Sequence, residues 1–161
     1  RTPEREESMT LTKNYLNNRI IIMSVAGKTI AAKEDLKNYN IGIQAKSAAL
    51  EVLQADPIYA ELSDKVSEYT SYDEVIMDMD AGRIDVMIVD EVLGMYKNSK
   101  RDASFEVSSI NFGDDYYVIG LRKGEEALCT EIEKAIDTLV GNGKAAEFSN
   151  KWFGKDILIK E

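Results

Sequence analysis

The 161-residue sequence has no histidine, one cysteine, one tryptophan and two prolines. Without histidine no His-containing catalytic triad can form, and a zinc site of the usual His/Cys kind has almost no ligands to draw on. A single cysteine, Cys129, cannot close an intramolecular disulfide, so the redox compartment is not legible from it. Cys129 lies among Leu128, Ile132 and Ile136 and reads as a small core residue. Glu125, Glu126, Glu131 and Glu133 surround it with the wrong charge for a reactive thiolate. No apolar run approaches the ~20 residues of a membrane-spanning helix. Positive charge is also scarce: 20 basic against 29 acidic residues give a net charge of −9. The basic residues are dispersed, with no cluster longer than Lys100–Arg101. Both facts argue against nucleic acid or an anionic membrane surface as partner. There is no internal repeat, no low-complexity segment and no secretory leader. The sequence opens at Arg1, in mid-motif and without methionine, and reads as a piece of a longer polypeptide.

What is present is a globular composition, 44% apolar and 30% charged, sized for one domain or two small lobes. Thr2-Pro3-Glu4 has the form of a helix start that runs to about Met9. Apolar segments near residues 20, 42, 67, 86 and 106 read as strands, and amphipathic segments begin at Ser47, Ser71 and Asp90. Such alternation predicts an α/β chain with a parallel-rich sheet. After a predicted loop over 111–115, residues 116–121 read as a further strand. A long helix over 125–140 then follows, apolar at Leu128, Ile132, Ala135, Ile136 and Leu139. A last helix over 144–151 is closed by Trp152-Phe153-Gly154, whose two aromatics are expected to pack.

The stretch Ala81–Met95, AGRIDVMIVDEVLGM, places Asp90 at the carboxyl end of a buried strand, where ligands bind in open α/β sheets. Three groups suit a zwitterion such as an α-amino acid. Arg5 offers a guanidinium for a carboxylate, the amides after Ser47 form a helix N-terminus, and Asp90 can pair with an ammonium. Each has a plainer reading. Arg5 in a Glu-rich turn suits a solvated surface, while Ser47 and Asp90 suit simple helix caps. The tyrosines, Tyr69, Tyr72, Tyr96, Tyr116 and Tyr117, read mostly as packing residues.

Taken together, TPER at Thr2–Arg5, TKNYLNNR at Thr12–Arg19 and DLKNYNIGIQAKSA at Asp35–Ala48 carry a family resemblance. So do AGRIDVMIVDEV at Ala81–Val92, GLRKGEEAL at Gly120–Leu128 and GNGKAAEFSNKWFGKDI at Gly141–Ile157. In this order they resemble the extracytoplasmic amino-acid-binding proteins of ABC importers, the polar-amino-acid solute-binding type. The resemblance implies a periplasmic-binding-protein-like fold of type II, two α/β lobes that close on one amino acid. It implies Arg5, Ser47 and Ala48 at the ligand carboxylate and Asp90 at the ammonium, with no cofactor and no metal. Lys46-Ser47-Ala48 departs from the family's frequent Gly-Ser-Thr, removing a hydroxyl and adding a cation. It also implies truncation at the N-terminus. Residues 1–19 and 112–161 would belong to a partial first lobe, and 20–111 to a complete second one. A partial lobe exposes the apolar face of the 125–140 helix, so a dimer, a segment-exchanged oligomer or a separate N-terminal fragment is expected to cover it.

The function so implied is capture of a free amino acid outside the cytoplasm, in a periplasm or lipid-anchored at a cell surface, and delivery to a membrane permease. Two other readings share the fold. One is a dehydratase of the cyclohexadienyl or prephenate type using a cleft carboxylate as general acid. The other is the sensing domain of a receptor, against which the ending KDILIKE reads as a free terminus.

Overall fold

Capped helices alternate with apolar strands in the computed structural model, which describes residues 1–159. In chain order the elements begin with α1 (Pro3–Ser8), β1 (Met9–Leu11), β2 (Leu16–Val25), β3 (Ile41–Gln44) and α2 (Ala48–Ala55). They continue with β4 (Val66–Tyr69), α3 (Tyr72–Asp80), β5 (Val86–Asp90) and α4 (Glu91–Ser99). The chain ends through β6 (Phe105–Tyr117), β7 (Gly120–Arg122), α5 (Glu126–Gly141) and α6 (Lys144–Phe153). Two compact units result. Unit 1 is Arg1–Asn18 with the residues from Asp114 onward, and unit 2 is Arg19–Gly113.

Unit 2 is built on a five-stranded sheet in the order β4-β3-β5-β2-β6. β3 runs parallel to β4 and to β5, whereas β2 pairs antiparallel with β5, so the sheet is mixed. The unbroken apolar run at Ile20–Met23 follows from coverage on both faces. Ile20 and Ile22 join Ile41, Ile43, Val86, Ile88 and the α2 residues Leu50 and Leu53 on one side. Ile21 and Met23 join Met87, Val89 and the α3 residues Val75, Ile76 and Met79 on the other. Successive strand residues point to opposite faces, so each strand feeds two cores. α4 comes so close to the sheet that a Cβ at Gly94 would lie 2.8 Å from Val89 Cγ1 and 2.9 Å from Met23 Sδ.

The predicted loop over 111–115 is not a loop, because β6 continues through it to Tyr117. The turn chemistry is absorbed locally: Asn111 Oδ1 accepts the Gly113 N–H at 2.9 Å, and Gly113 takes φ +104° within the strand. Pairing with neighbouring strands outweighs the local preference for a turn. The predicted strand over 116–121 is accordingly divided between the end of β6 and β7.

Unit 1 contains α1, a two-stranded antiparallel ladder of β1 with β7, and the helices α5 and α6. Thr2 caps α1, its hydroxyl accepting the Arg5 N–H at 3.4 Å. Among the described residues, Cys129 and Ile157 are the buried apolar residues of this unit. Cys129 is thus a core residue, and burial, then Glu133 and Glu126, push its thiol up from the ordinary range. Trp152 and Phe153, expected to pack in the core or at a domain edge, are at the edge: both are exposed, and with Tyr15, Leu16 and Leu158 they line an open apolar cavity. The last two residues of the KDILIKE ending lie outside the described residues.

Candidate functional site

Parallel pairing of β3 with both of its neighbours brings three strand ends to one edge of the unit 2 sheet, at Gln44, Tyr69 and Asp90. Three helices start from that edge, α2 capped by Ser47, α3 by Ser71 and α4 by Asp90. Their first amides have no intrahelical partners and carry the positive end of each helix dipole. The Ser47 hydroxyl accepts the Leu50 N–H at 3.2 Å and donates to the Gln44 carbonyl at 2.7 Å. Ala48 is the first residue of α2 and can offer only its backbone. Gln44 Nε2 donates to the Thr70 carbonyl at 3.0 Å, tying the end of β3 to the segment leading into α3.

Asp90 does cap a helix: its Oδ1 accepts the Leu93 N–H at 3.0 Å. The first residue of α3, Tyr72, is one of the tyrosines read from sequence as packing. Its hydroxyl donates to the Ile88 carbonyl at 2.8 Å inside the sheet. Burial pushes the Tyr72 phenol up to about 12, a hydrogen bond with Ser47 acts against that, and the Asp90 charge adds to it. Tyr72 was legible only as the first residue after a strand-end cap, the same junction pattern that singles out Ser47.

Lys46 stands in the turn between β3 and α2 with φ 56°, exposed and immediately before Ser47. A left-handed backbone at a residue with a Cβ costs roughly 1–2 kcal/mol, a burden glycine would avoid. Its ammonium adds a positive charge beside the α2 amides.

Arg5 belongs to unit 1. The other residues of α1, Pro3, Glu4, Glu6, Glu7 and Ser8, are exposed, whereas the Arg5 side chain is half-buried. The reading of Arg5 as a fully solvated surface residue therefore does not hold. Within unit 2, then, Ser47, Ala48 and Asp90 come to one edge, together with Gln44 at the end of β3 and Tyr72 at the start of α3, neither of which sequence reasoning had assigned to a site. Among the described residues no group of three or more His, Cys, Asp or Glu side chains could hold a metal ion. No described helix is long and apolar enough to cross a membrane.

The tyrosines report on this geometry. Burial, with a hydrogen bond to Asp78 second, also pushes the Tyr69 phenol up to about 12. A folded pKa above the unfolded value of about 10 keeps the proton on longer in the folded state. The stability these phenols contribute is fully present below about pH 10 and is lost as pH rises toward 12. Absorbance titration of the folded chain is expected to show Tyr69 and Tyr72 ionising last. Asp90→Asn should bring one of these late phenols down, and an unchanged titration would mean that Asp90 does not face Tyr72.

The profile of the bacterial extracellular solute-binding proteins, family 3, matches residues 1–155. The L-arginine-binding protein of Pseudomonas aeruginosa is 29% identical over 164 residues, a match covering 97% of this chain and 62% of that protein. The L-cystine-binding protein of Escherichia coli is 27% identical over 156 residues, covering 96% of this chain and 57% of that protein. The chain thus spans about three fifths of the length of these curated relatives. Among solved structures, an ABC uptake transporter substrate-binding protein from Streptococcus pneumoniae with bound histidine superimposes with a TM-score of 0.89 at 26% identity. That match covers 99% of this chain and 67% of the other.

Proposed function

The chain belongs to the bacterial extracellular solute-binding proteins of family 3, and from that premise we propose that it supplies amino-acid-binding groups to an ABC importer. The observation that carries the reading is the edge of unit 2 where the Ser47-capped start of α2 and the Asp90-capped start of α4 follow the ends of the parallel strands β3 and β5. It offers amides and a dipole end for a carboxylate and, beside them, a carboxylate for an ammonium. Both ends of an α-amino acid are matched by groups of opposite character. Arg5, half-buried in unit 1, is proposed as a carboxylate-binding group of that unit, through the bidentate geometry a guanidinium provides.

Relatives in the family bind arginine, cystine and glutamine by name, which supports an amino acid as the ligand class. In this reading the ligand is bound and released unchanged, and a membrane permease of the importer receives it outside the cytoplasm. Asp90 acts as a counter-ion, so no general-acid step is assigned to it.

An NMR titration of the isotopically labelled chain with the twenty L-amino acids tests the site and detects even millimolar association. At least one amino acid is expected to shift the amides of Ser47, Ala48 and the Asp90–Leu93 turn together. The N-acetylated form, which lacks the ammonium, should leave the Asp90 turn unmoved. If no amino acid moves these amides, or acetylation makes no difference, the assignment is wrong.

A further inference from the structure

Resting on the amino-acid reading of this edge, we infer that Lys46 sets the charge class of the ligand: an amino acid with an acidic or neutral side chain is taken, and one with a cationic side chain is rejected. Lys46 holds the turn from β3 into α2 at φ 56°, where glycine would meet no steric cost. What the residue contributes there is its side chain, which is exposed. The ammonium stands on a flexible four-carbon stem one residue before the Ser47 cap. Its charge has the same sign as the dipole end of α2.

The carboxylates at the three helix starts leave little for a cationic side chain. Glu74 serves the start of α3, its Oε2 accepting the Thr70 N–H at 2.9 Å and the Ser71 N–H at 3.3 Å. Asp73 pairs with Lys97 Nζ of α4 at 2.6 Å. Glu91 holds the Arg19 guanidinium through two bonds, at 2.9 and 3.1 Å. Asp90 caps α4 and is the proposed partner of the ligand ammonium. Glu51 follows the first amides of α2 by a turn, about 6 Å along the axis.

With the ligand ammonium on Asp90 and its carboxylate on the α2 amides, both charges of the zwitterion are matched. Lys46 then adds a positive charge beside the α2 end. A side-chain guanidinium or ammonium brought to this edge meets like charge, whereas a side-chain carboxylate or amide does not. Discrimination of this kind comes from a repulsive element set against the unwanted ligand. The chain is thereby set apart from its arginine-binding relative. Its preference should run to glutamate and glutamine before arginine and lysine.

The test is an NMR titration of the labelled chain at low ionic strength with L-glutamate, L-glutamine, L-arginine and L-lysine. Glutamine, whose side chain is neutral, is the internal reference that cancels any effect on the two α-groups. In the parent, arginine and lysine should bind more weakly than glutamine, read from the amides of Ser47, Ala48 and the Asp90–Leu93 turn. Lys46→Glu should raise arginine and lower glutamate relative to glutamine, each by roughly tenfold. Lys46→Gly, which suits the left-handed backbone, should bring the four ligands closer together. Salt at about 1 M should shrink the discrimination of the parent, because an exposed charge is screened; a steric role of the lysine would not respond. Three outcomes overturn the proposal: the parent prefers arginine, the ratios to glutamine ignore Lys46, or Lys46→Glu changes all four ligands by the same factor. The last would make Lys46 a holder of the α-carboxylate. If none of the twenty amino acids moves these amides, the amino-acid reading itself falls and takes this proposal with it.

Discussion

Asp90→Asn is expected to weaken binding of a free L-amino acid by about 100-fold or more while the chain stays folded. Asparagine ranks with aspartate as an N-cap, so the Leu93 N–H keeps an acceptor and α4 keeps its start. What is lost is the negative charge. Truncating one partner of a desolvated, hydrogen-bonded charge pair typically costs 2–5 kcal/mol, and 100-fold corresponds to about 2.7 kcal/mol. Asp90→Ala removes cap and charge together and adds roughly 1 kcal/mol of lost helix stability. The two variants therefore separate the roles between which the sequence could not choose. Calorimetry with the amino acid identified by NMR reads the affinity, and a thermal melt reads the cap. If the asparagine variant binds as tightly as the parent, Asp90 is a cap and nothing more.

Much of unit 2 was legible because local and global signals agree there. Ser47 and Ser71 announce helices that do start after them, and the wholly apolar run at Ile20–Met23 does feed two cores. Asp56-Pro57 ends α2 where a proline must. The misses lie where a long-range partner decides. Asn111–Asp115 has turn residues, yet strand pairing carries β6 through them. Trp152 and Phe153 carry an apolar signal that reads as packing, but periodicity cannot say whether it is in the core or at an edge. At the candidate site the capping residues could be read from local patterns. Tyr72 could not, because its place among those caps depends on parallel pairing of strands far apart in sequence.

Ile88→Ala is expected to destabilise unit 2 by about 2–5 kcal/mol, whereas Leu139→Ala should cost markedly less. Both truncate a four-carbon apolar side chain in a regular element to a methyl, so the contrast isolates burial. Ile88 is fully buried in β5, against Ile20, Ile22 and the α2 residues, and truncation leaves a cavity the sheet cannot collapse around. Leu139 is already 37% exposed, so its truncation removes less contact than that of a fully buried residue. The same asymmetry governs how the chain should unfold. Unit 2 holds its own two-faced core, while unit 1 buries only Cys129 and Ile157 among its described apolar residues. A unit of that size without a core sits at the edge of stability. Native-state hydrogen exchange should therefore show α5, α6 and the β1–β7 ladder opening at low free energy, well before β3 and β5. If Leu139→Ala already costs as much as Ile88→Ala, α5 is as well packed in solution as the core of unit 2.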